Sequence, residues 1–138
     1  MEILRTPDSC FENLKDYSFS PSYCDISVSD NHNARMHYVD INSNSEEVFL
    51  LLHGEPSWSY LYRHMIPILA KTGKRVIAPD LIGFGKSDKL GIQSDYTYEN
   101  HVRWMSSFIN HLDLKNITFF GQDWGGLIGL RIVAQDPS

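Results

Sequence analysis

The stretch Ile117 to Gly129 constrains the fold of this chain most. It reads Ile-Thr-Phe-Phe-Gly-Gln-Asp-Trp-Gly-Gly-Leu-Ile-Gly. Apolar and β-branched residues run into a glycine, an acidic residue follows two positions later, and more glycines open a segment that reads as helix. The run fits a strand covered on both faces, and the abrupt Gly-x-Asp-x-Gly change fits a tight strand-to-helix turn.

Val48-Phe49-Leu50-Leu51-Leu52 and Arg75-Val76-Ile77-Ala78 repeat the buried-strand pattern of Ile117–Phe120. Helical stretches lie between them. One runs from Trp58 to about Lys71, with Tyr60, Leu61, His64, Met65 and Ile68 expected on its inner face. The other runs from Tyr98 to Leu112, with Val102, Met105, Ile109 and Leu112 at helical spacing. Strand, helix, strand, helix, strand implies an α/β layer fold built on a mostly parallel sheet. Ahead of it, Asp25–Val28 and Arg35–Asp40 flank a turn-like Ser-Asp-Asn-His-Asn and read as an antiparallel hairpin, with Met36 and Tyr38 facing one way and Arg35, His37 and Val39 the other. The first two dozen residues, with Pro7 and Pro21, read as an extended lead-in. No repeat, low-complexity tract or linker divides residues 1–138, which read as one domain or part of one.

Composition removes several classes of function. Twelve basic against 17 acidic side chains give a net charge of −5, and no Lys/Arg cluster offers a nucleic acid or an anionic membrane a partner. Aromatics at 12% rule out a disordered chain. No apolar run approaches the roughly 20 residues of a spanning helix, and the N-terminus lacks the basic-then-apolar order of a secretory signal, so the chain is read as cytosolic. Cys10 and Cys24 read as free thiols, and the six histidines show no metal-ligand spacing.

The chemistry concentrates at Asp123. In a Gly-x-nucleophile-x-Gly elbow the central residue is held strained at a strand end, small neighbours let the chain pass close to itself, and the next backbone N–H faces the reacting atom. A carboxylate at that point cannot act as a relayed hydroxyl, but it can displace a leaving group from saturated carbon and form an ester. Asp123 could equally be an ordinary N-cap. Gly121, Gly125 and Gly126 favour the elbow, because a cap does not need three glycines.

His53-Gly54-Glu55-Pro56-Ser57-Trp58 follows an apolar strand directly, where a sheet enzyme places its second oxyanion donor. The Glu55 and Trp124 backbone N–H groups would then converge on one carbonyl oxygen. Taken alone, the segment also reads as a plain strand-to-helix turn. Gly85-Lys86-Ser87 invites a phosphate-loop reading but fails on spacing, since Asp80 holds the place of the required first glycine and more loop follows Ser87. It reads instead as a glycine-rich loop buttressing the site rim. No role is assigned to His101 or His111, and the glycosylation-like Asn116-Ile117-Thr118 is discounted because it opens a buried strand.

Together, His53–Arg63, Ala78–Lys89 and Gly121–Gly126 resemble, in order along nearly the whole chain, the N-terminal part of a haloalkane dehalogenase of the α/β-hydrolase fold. The resemblance implies that Asp123 is the nucleophile and that the Trp124 indole N–H steadies the departing halide. It further implies that the Glu55 and Trp124 N–H groups form the oxyanion hole, with His53, Gly54, Gly121, Gly125 and Gly126 as structural supports. A histidine-activated water would release an alcohol from a small halogenated hydrocarbon, a detoxification that needs no cofactor or metal. A monomer is the expectation for the full-length protein.

The family places its acid and catalytic histidine after the nucleophile, whereas every histidine here precedes Asp123. The chain is therefore expected to be a fragment lacking the cap and C-terminal part, poor at folding alone because an apolar edge strand is left bare, and without turnover. An epoxide hydrolase, sharing the Asp nucleophile, is the nearest enzyme alternative, and a non-catalytic remnant is the alternative from another class.

Overall fold

The structure, a computed structural model, describes residues 1–136, so the last two residues of the 1–138 domain lie outside the described residues. In chain order the regular elements are β1 (Ile3–Leu4), β2 (Ser22–Ser29), β3 (His32–Ile41), β4 (Val48–Leu52), α1 (Met65–Ala70), β5 (Arg75–Pro79), β6 (Lys89–Leu90), α2 (Tyr98–His111), β7 (Ile117–Gly121) and α3 (Trp124–Gln135). Short 3₁₀ turns occupy Asp8–Phe11, Ser59–Tyr62 and Gln93–Asp95.

Five strands form one sheet in the order β2-β3-β5-β4-β7. The expected parallel arrangement is realised in β5-β4-β7, while β2 and β3 join antiparallel, so the sheet is mixed. The hairpin is longer than the sequence suggested and turns on Asp30-Asn31. β4 lies in the middle of the parallel part, and its register pairs Leu52 with Gly121.

Side chains alternate across a strand, and here both faces are covered. Leu50, Leu52, Ile77 and Met36 enter a core beneath α2 and α3 with Val102, Trp104, Met105, Phe108 and Ile128. Leu51, Val76, Ala78 and Val39 enter a second core with Tyr62 and Ile66. Both faces of β3 are buried in its middle: Met36 on one side, and His37 and Val39 on the other, are fully covered.

Two expectations are corrected. The lead-in is packed: Tyr17 is buried, its ring 5.1 Å from that of Trp58, and Tyr17 Oη and Ser59 Oγ share a 2.6 Å hydrogen bond. Ile3 and Leu4 of β1 also pair with β6. The segment after β4 is no single helix but a 3₁₀ turn followed by the six residues of α1, and its inner face carries Tyr62 and Ile66. Leu61 and Ile68, expected inside, are exposed. The expected second helix is realised as α2, opened by Thr97, whose Oγ1 accepts the Asn100 N–H at 3.0 Å. β7 has β4 as its one pairing partner among the described residues, and Phe120 on it is about half exposed.

Candidate active site

The site forms where β4 and β7 end side by side. Parallel pairing brings the loop after Leu52 against the turn after Gly121, and Gln122 N–H donates to Leu52 O at 3.1 Å. Leu52 O also accepts the buried Tyr62 hydroxyl at 2.7 Å, and burial raises the Tyr62 pKa to about 12. The end of β4 is thus fixed from two sides.

Asp123 sits between β7 and α3 at φ 56°, ψ −125°. Such a conformation costs an ordinary side chain about 1–3 kcal/mol unless its surroundings enforce it. Asp123 does not act as a conventional cap: its side chain makes no capping bond, and the Gly126 N–H bonds its main-chain oxygen instead, at 3.0 Å. The carboxylate points out of the helix. It is bonded by the Trp124 N–H and by the Glu55 N–H, the latter at 3.0 Å to Oδ2, and these two bonds hold its pKa below the ordinary carboxylate value. An exposed, ionised carboxylate gripped by two backbone donors can present one oxygen to an electrophile while the other stays anchored.

Close approach explains most of the glycines. A Cβ on Gly54 would lie 2.4 Å from Asp123 Cβ, and one on Gly125 only 2.2 Å from Leu52 O. On Gly121 it would meet the Gly126 backbone at 2.8 Å. Gly126 differs, since its nearest neighbour would be at 3.9 Å, so crowding does not require a glycine there. The sequence reading missed Gly129, where a Cβ would strike the Phe119 ring at 2.1 Å. Its signal was the four-residue spacing from Gly125, which places both on the buried face of α3.

His53 is fully buried. Its Nε2 accepts the Leu81 N–H at 2.9 Å and its Nδ1 lies 2.9 Å from Gly54 O, while burial, opposed by the Gly54 bond, pushes its pKa down. Trp124 is partly exposed with its ring 5.9 Å from that of Tyr98. Glu55 and Trp124 border a cavity of about 460 Å³ whose wall includes Phe84, Tyr96, Tyr98 and His101. His101, given no role from sequence, is pushed down to about 4 by burial, with His53 adding to the effect.

The Gly-Lys-Ser loop wraps a carboxylate rather than a phosphate. Buried Asp80 faces His37 Nδ1 at 2.8 Å and accepts the Ser59 and Lys86 N–H groups at 2.7 and 2.9 Å. β6, a strand, follows Asp88 directly. From this loop Phe84 packs edge-on against His53 at 5.4 Å, which makes it the expected buttress. Cys10 and Cys24 are free, and the described residues contain no group of three or more His, Cys, Asp or Glu able to hold a metal. No described helix is long and apolar enough to cross a membrane.

The order of strands, the elbow and the converging backbone donors define a class of protein, and the sequence model of the alpha/beta hydrolase fold family matches residues 47–138. The chain belongs to that family. More particularly, it is 60% identical over 137 residues to a haloalkane dehalogenase of Psychrobacter cryohalolentis, covering 99% of this chain and 45% of that protein. The tetrameric haloalkane dehalogenase DpaA of Paraglaciecola agarilytica superposes with a TM-score of 0.91 at 47% identity, over 98% of this chain and 45% of that one. A Vigna radiata epoxide hydrolase superposes at 0.71 with 29% identity, over 85% and 35%. The chain thus spans under half the length of the relatives it matches. The tetramer of DpaA does not fit the expectation of a monomer.

Proposed function

We propose that this chain is the N-terminal part of a hydrolase core that cleaves carbon–halogen bonds of small haloalkanes, with Asp123 as the nucleophile. The observation that carries the reading is the Asp123 carboxylate, ionised and exposed, with one oxygen already held by the Glu55 N–H. One carboxylate oxygen attacks the halogen-bearing carbon from behind, the carbon–halogen bond breaks, and halide leaves toward the Trp124 indole, a donor with no acceptor capacity. Oδ2, already held by the Glu55 N–H, becomes the ester carbonyl oxygen, with the Trp124 N–H as its proposed second donor. Water activated by a histidine outside this chain adds to that carbonyl, and collapse of the oxyanion releases the alcohol and regenerates Asp123. Substrate and water are the only reactants, no metal or cofactor takes part, and the cytoplasm is the proposed place of action, in keeping with two free thiols.

The alternative epoxide hydrolase shares Asp123. Identities of 60% and 47% to dehalogenases against 29% to an epoxide hydrolase favour the halide reading. The test is a single turnover of the full-length protein with 1,2-dibromoethane in ¹⁸O-water. Bromide release with ¹⁸O appearing in the peptide that contains Asp123, both abolished by Asp123→Asn, is the expected result. Turnover of an epoxide without bromide release would replace the reading, and no turnover of either by folded protein would favour a non-catalytic remnant.

A further inference from the structure

The peptide unit that carries the Gly54 carbonyl also carries the Glu55 N–H. The one cis bond among the described residues is the next, Glu55–Pro56. In a planar trans unit the C=O and N–H point in opposite directions. Whatever holds Gly54 O therefore aims Glu55 N–H, and Gly54 has no side chain to do so.

Two groups hold that oxygen. The Ser57 N–H reaches it at 3.0 Å, but this bond closes the turn on itself and does not fix the turn's tilt against the sheet. The other is His53 Nδ1 at 2.9 Å. The ring is rooted at the end of β4, fully buried, and seated against Phe84. Its protonation follows from its neighbours. The Leu81 N–H can only donate, so Nε2 must be an unprotonated acceptor, and the single ring proton lies on Nδ1, directed at Gly54 O.

We propose that His53 is the positioning residue of the oxyanion pair: as the neutral Nδ1–H tautomer, set by the Leu81 N–H, it turns the Gly54–Glu55 peptide so that Glu55 N–H faces Asp123 Oδ2. This rests on the dehalogenase reading for its kinetic consequence, although the geometry stands without it. The Glu55 N–H matters most when negative charge grows on Oδ2, during ester hydrolysis, and less during halide displacement. His53 thus acts on the second step selectively.

The test compares the full-length parent with His53→Gln and His53→Asn. Gln places its amide near Nε2 and loses the bond to Gly54 O, whereas Asn places an N–H near Nδ1 and keeps it. With 1,2-dibromoethane, His53→Gln is expected to give a bromide burst at the parental rate and then hydrolyse the alkyl-enzyme about tenfold or more slower, since removing an oxyanion donor outright costs about 10²–10³. Intact mass should show the adduct accumulating. His53→Asn should recover a large part of the hydrolysis rate. In ¹H–¹⁵N spectra the Glu55 amide should lose its hydrogen-bonded downfield position in His53→Gln and keep it in His53→Asn. Equal losses in burst and hydrolysis, or an Asn variant no better than Gln, would make His53 merely structural and overturn the proposal. A parent that releases no bromide defeats the dehalogenase reading, while the amide positions still decide the clamp. Should the variants not fold, ¹⁵N spectra of the parent's histidine ring decide: a proton on Nδ1 alone at neutral pH is required, and the opposite tautomer or an imidazolium overturns the assignment.

Discussion

Adjacent glycines at the start of α3 should respond to the same substitution with opposite signs. A methyl added at Gly125 would sit 2.2 Å from Leu52 O and 2.5 Å from His53 O, whereas at Gly126 the nearest atoms are at 3.9 Å. Overpacking costs about 1–3 kcal/mol, and the upper end applies here because both obstructing atoms are backbone that cannot rotate aside. Gly126→Ala meets no obstacle and restricts the unfolded chain, a gain of about 0.5–1 kcal/mol. The two variants should therefore differ by about 3–4 kcal/mol in unfolding free energy. Urea titration of the full-length protein measures this as a shift of midpoint at unchanged slope. Gly125→Ala should also lose bromide release, because pushing α3 off the end of β4 carries Trp124 N–H away from the carboxylate, while Gly126→Ala should keep it. Two destabilised variants, or a Gly125→Ala as stable as the parent, would refute the claim that the elbow is fixed by close backbone approach.

The proposed incompleteness of the core predicts that the 138-residue chain, held soluble and incubated with 1,2-dibromoethane, accumulates a stable alkyl adduct seen by intact mass and absent in Asp123→Asn; a folded chain with no adduct would refute it. Burial alone would raise the pKa of Asp88, but bonds from Arg5 at 2.7 and 2.9 Å and from the Arg35 N–H at 2.9 Å outweigh it and hold it low. That stabilisation is present above about pH 4 and is lost as pH falls through the lower folded value. Urea midpoints between pH 5 and 2 should fall less steeply in Asp88→Asn. His101 has a folded value of about 4 against an ordinary 6.5. Between those values the unfolded chain takes up a proton that the folded one refuses, so stability drops as pH falls through the window and levels off below it, by up to about 3 kcal/mol. Titration of the His101 ring by NMR, with urea midpoints of His101→Phe that lack this slope, checks it.

The sequence was most legible where structure is local. α2 came out within one residue of its expected bounds, because a cap at Thr97 and a sustained apolar face specify it without tertiary help. The three apolar runs became β4, β5 and β7, because an unbroken apolar run marks a strand covered on both faces. The segment after β4 misled because a helical period was carried across a joint. A 3₁₀ turn at Ser59–Tyr62 gives way to α1 at Met65, the phase shifts between them, and Tyr62 and Ile66 point inward where Leu61 and Ile68 were expected. Tyr17 had no periodicity to betray it, since its burial depends on Trp58 and Ser59 some forty residues on. At the candidate site the motif residues were legible and the long-range contacts that hold them were not. His53 reads as part of a motif, but its bond to Leu81 exists only after β5 has returned beside β4.

Glu55 and Asp123 are 68 residues apart, and parallel pairing of β4 with β7 in the observed register is what brings the loop that carries the Glu55 N–H within reach of the carboxylate. Once Leu52 lies opposite Gly121, both chains leave the sheet at the same level and on the same side, and the turns that follow must pass through one small volume. Gly54, Gly121 and Gly125 are then one steric requirement seen from three positions: Gly54 admits the Asp123 side chain, Gly125 admits the β4 carbonyls, and Gly121 admits the returning α3 backbone. The unfavourable backbone of Asp123 belongs to the same requirement. With the strand behind it fixed by β4 and the helix ahead of it pressed against Leu52 O and His53 O, a positive φ at residue 123 is what joins the two, and that rotation leaves the carboxylate between the Glu55 and Trp124 N–H groups.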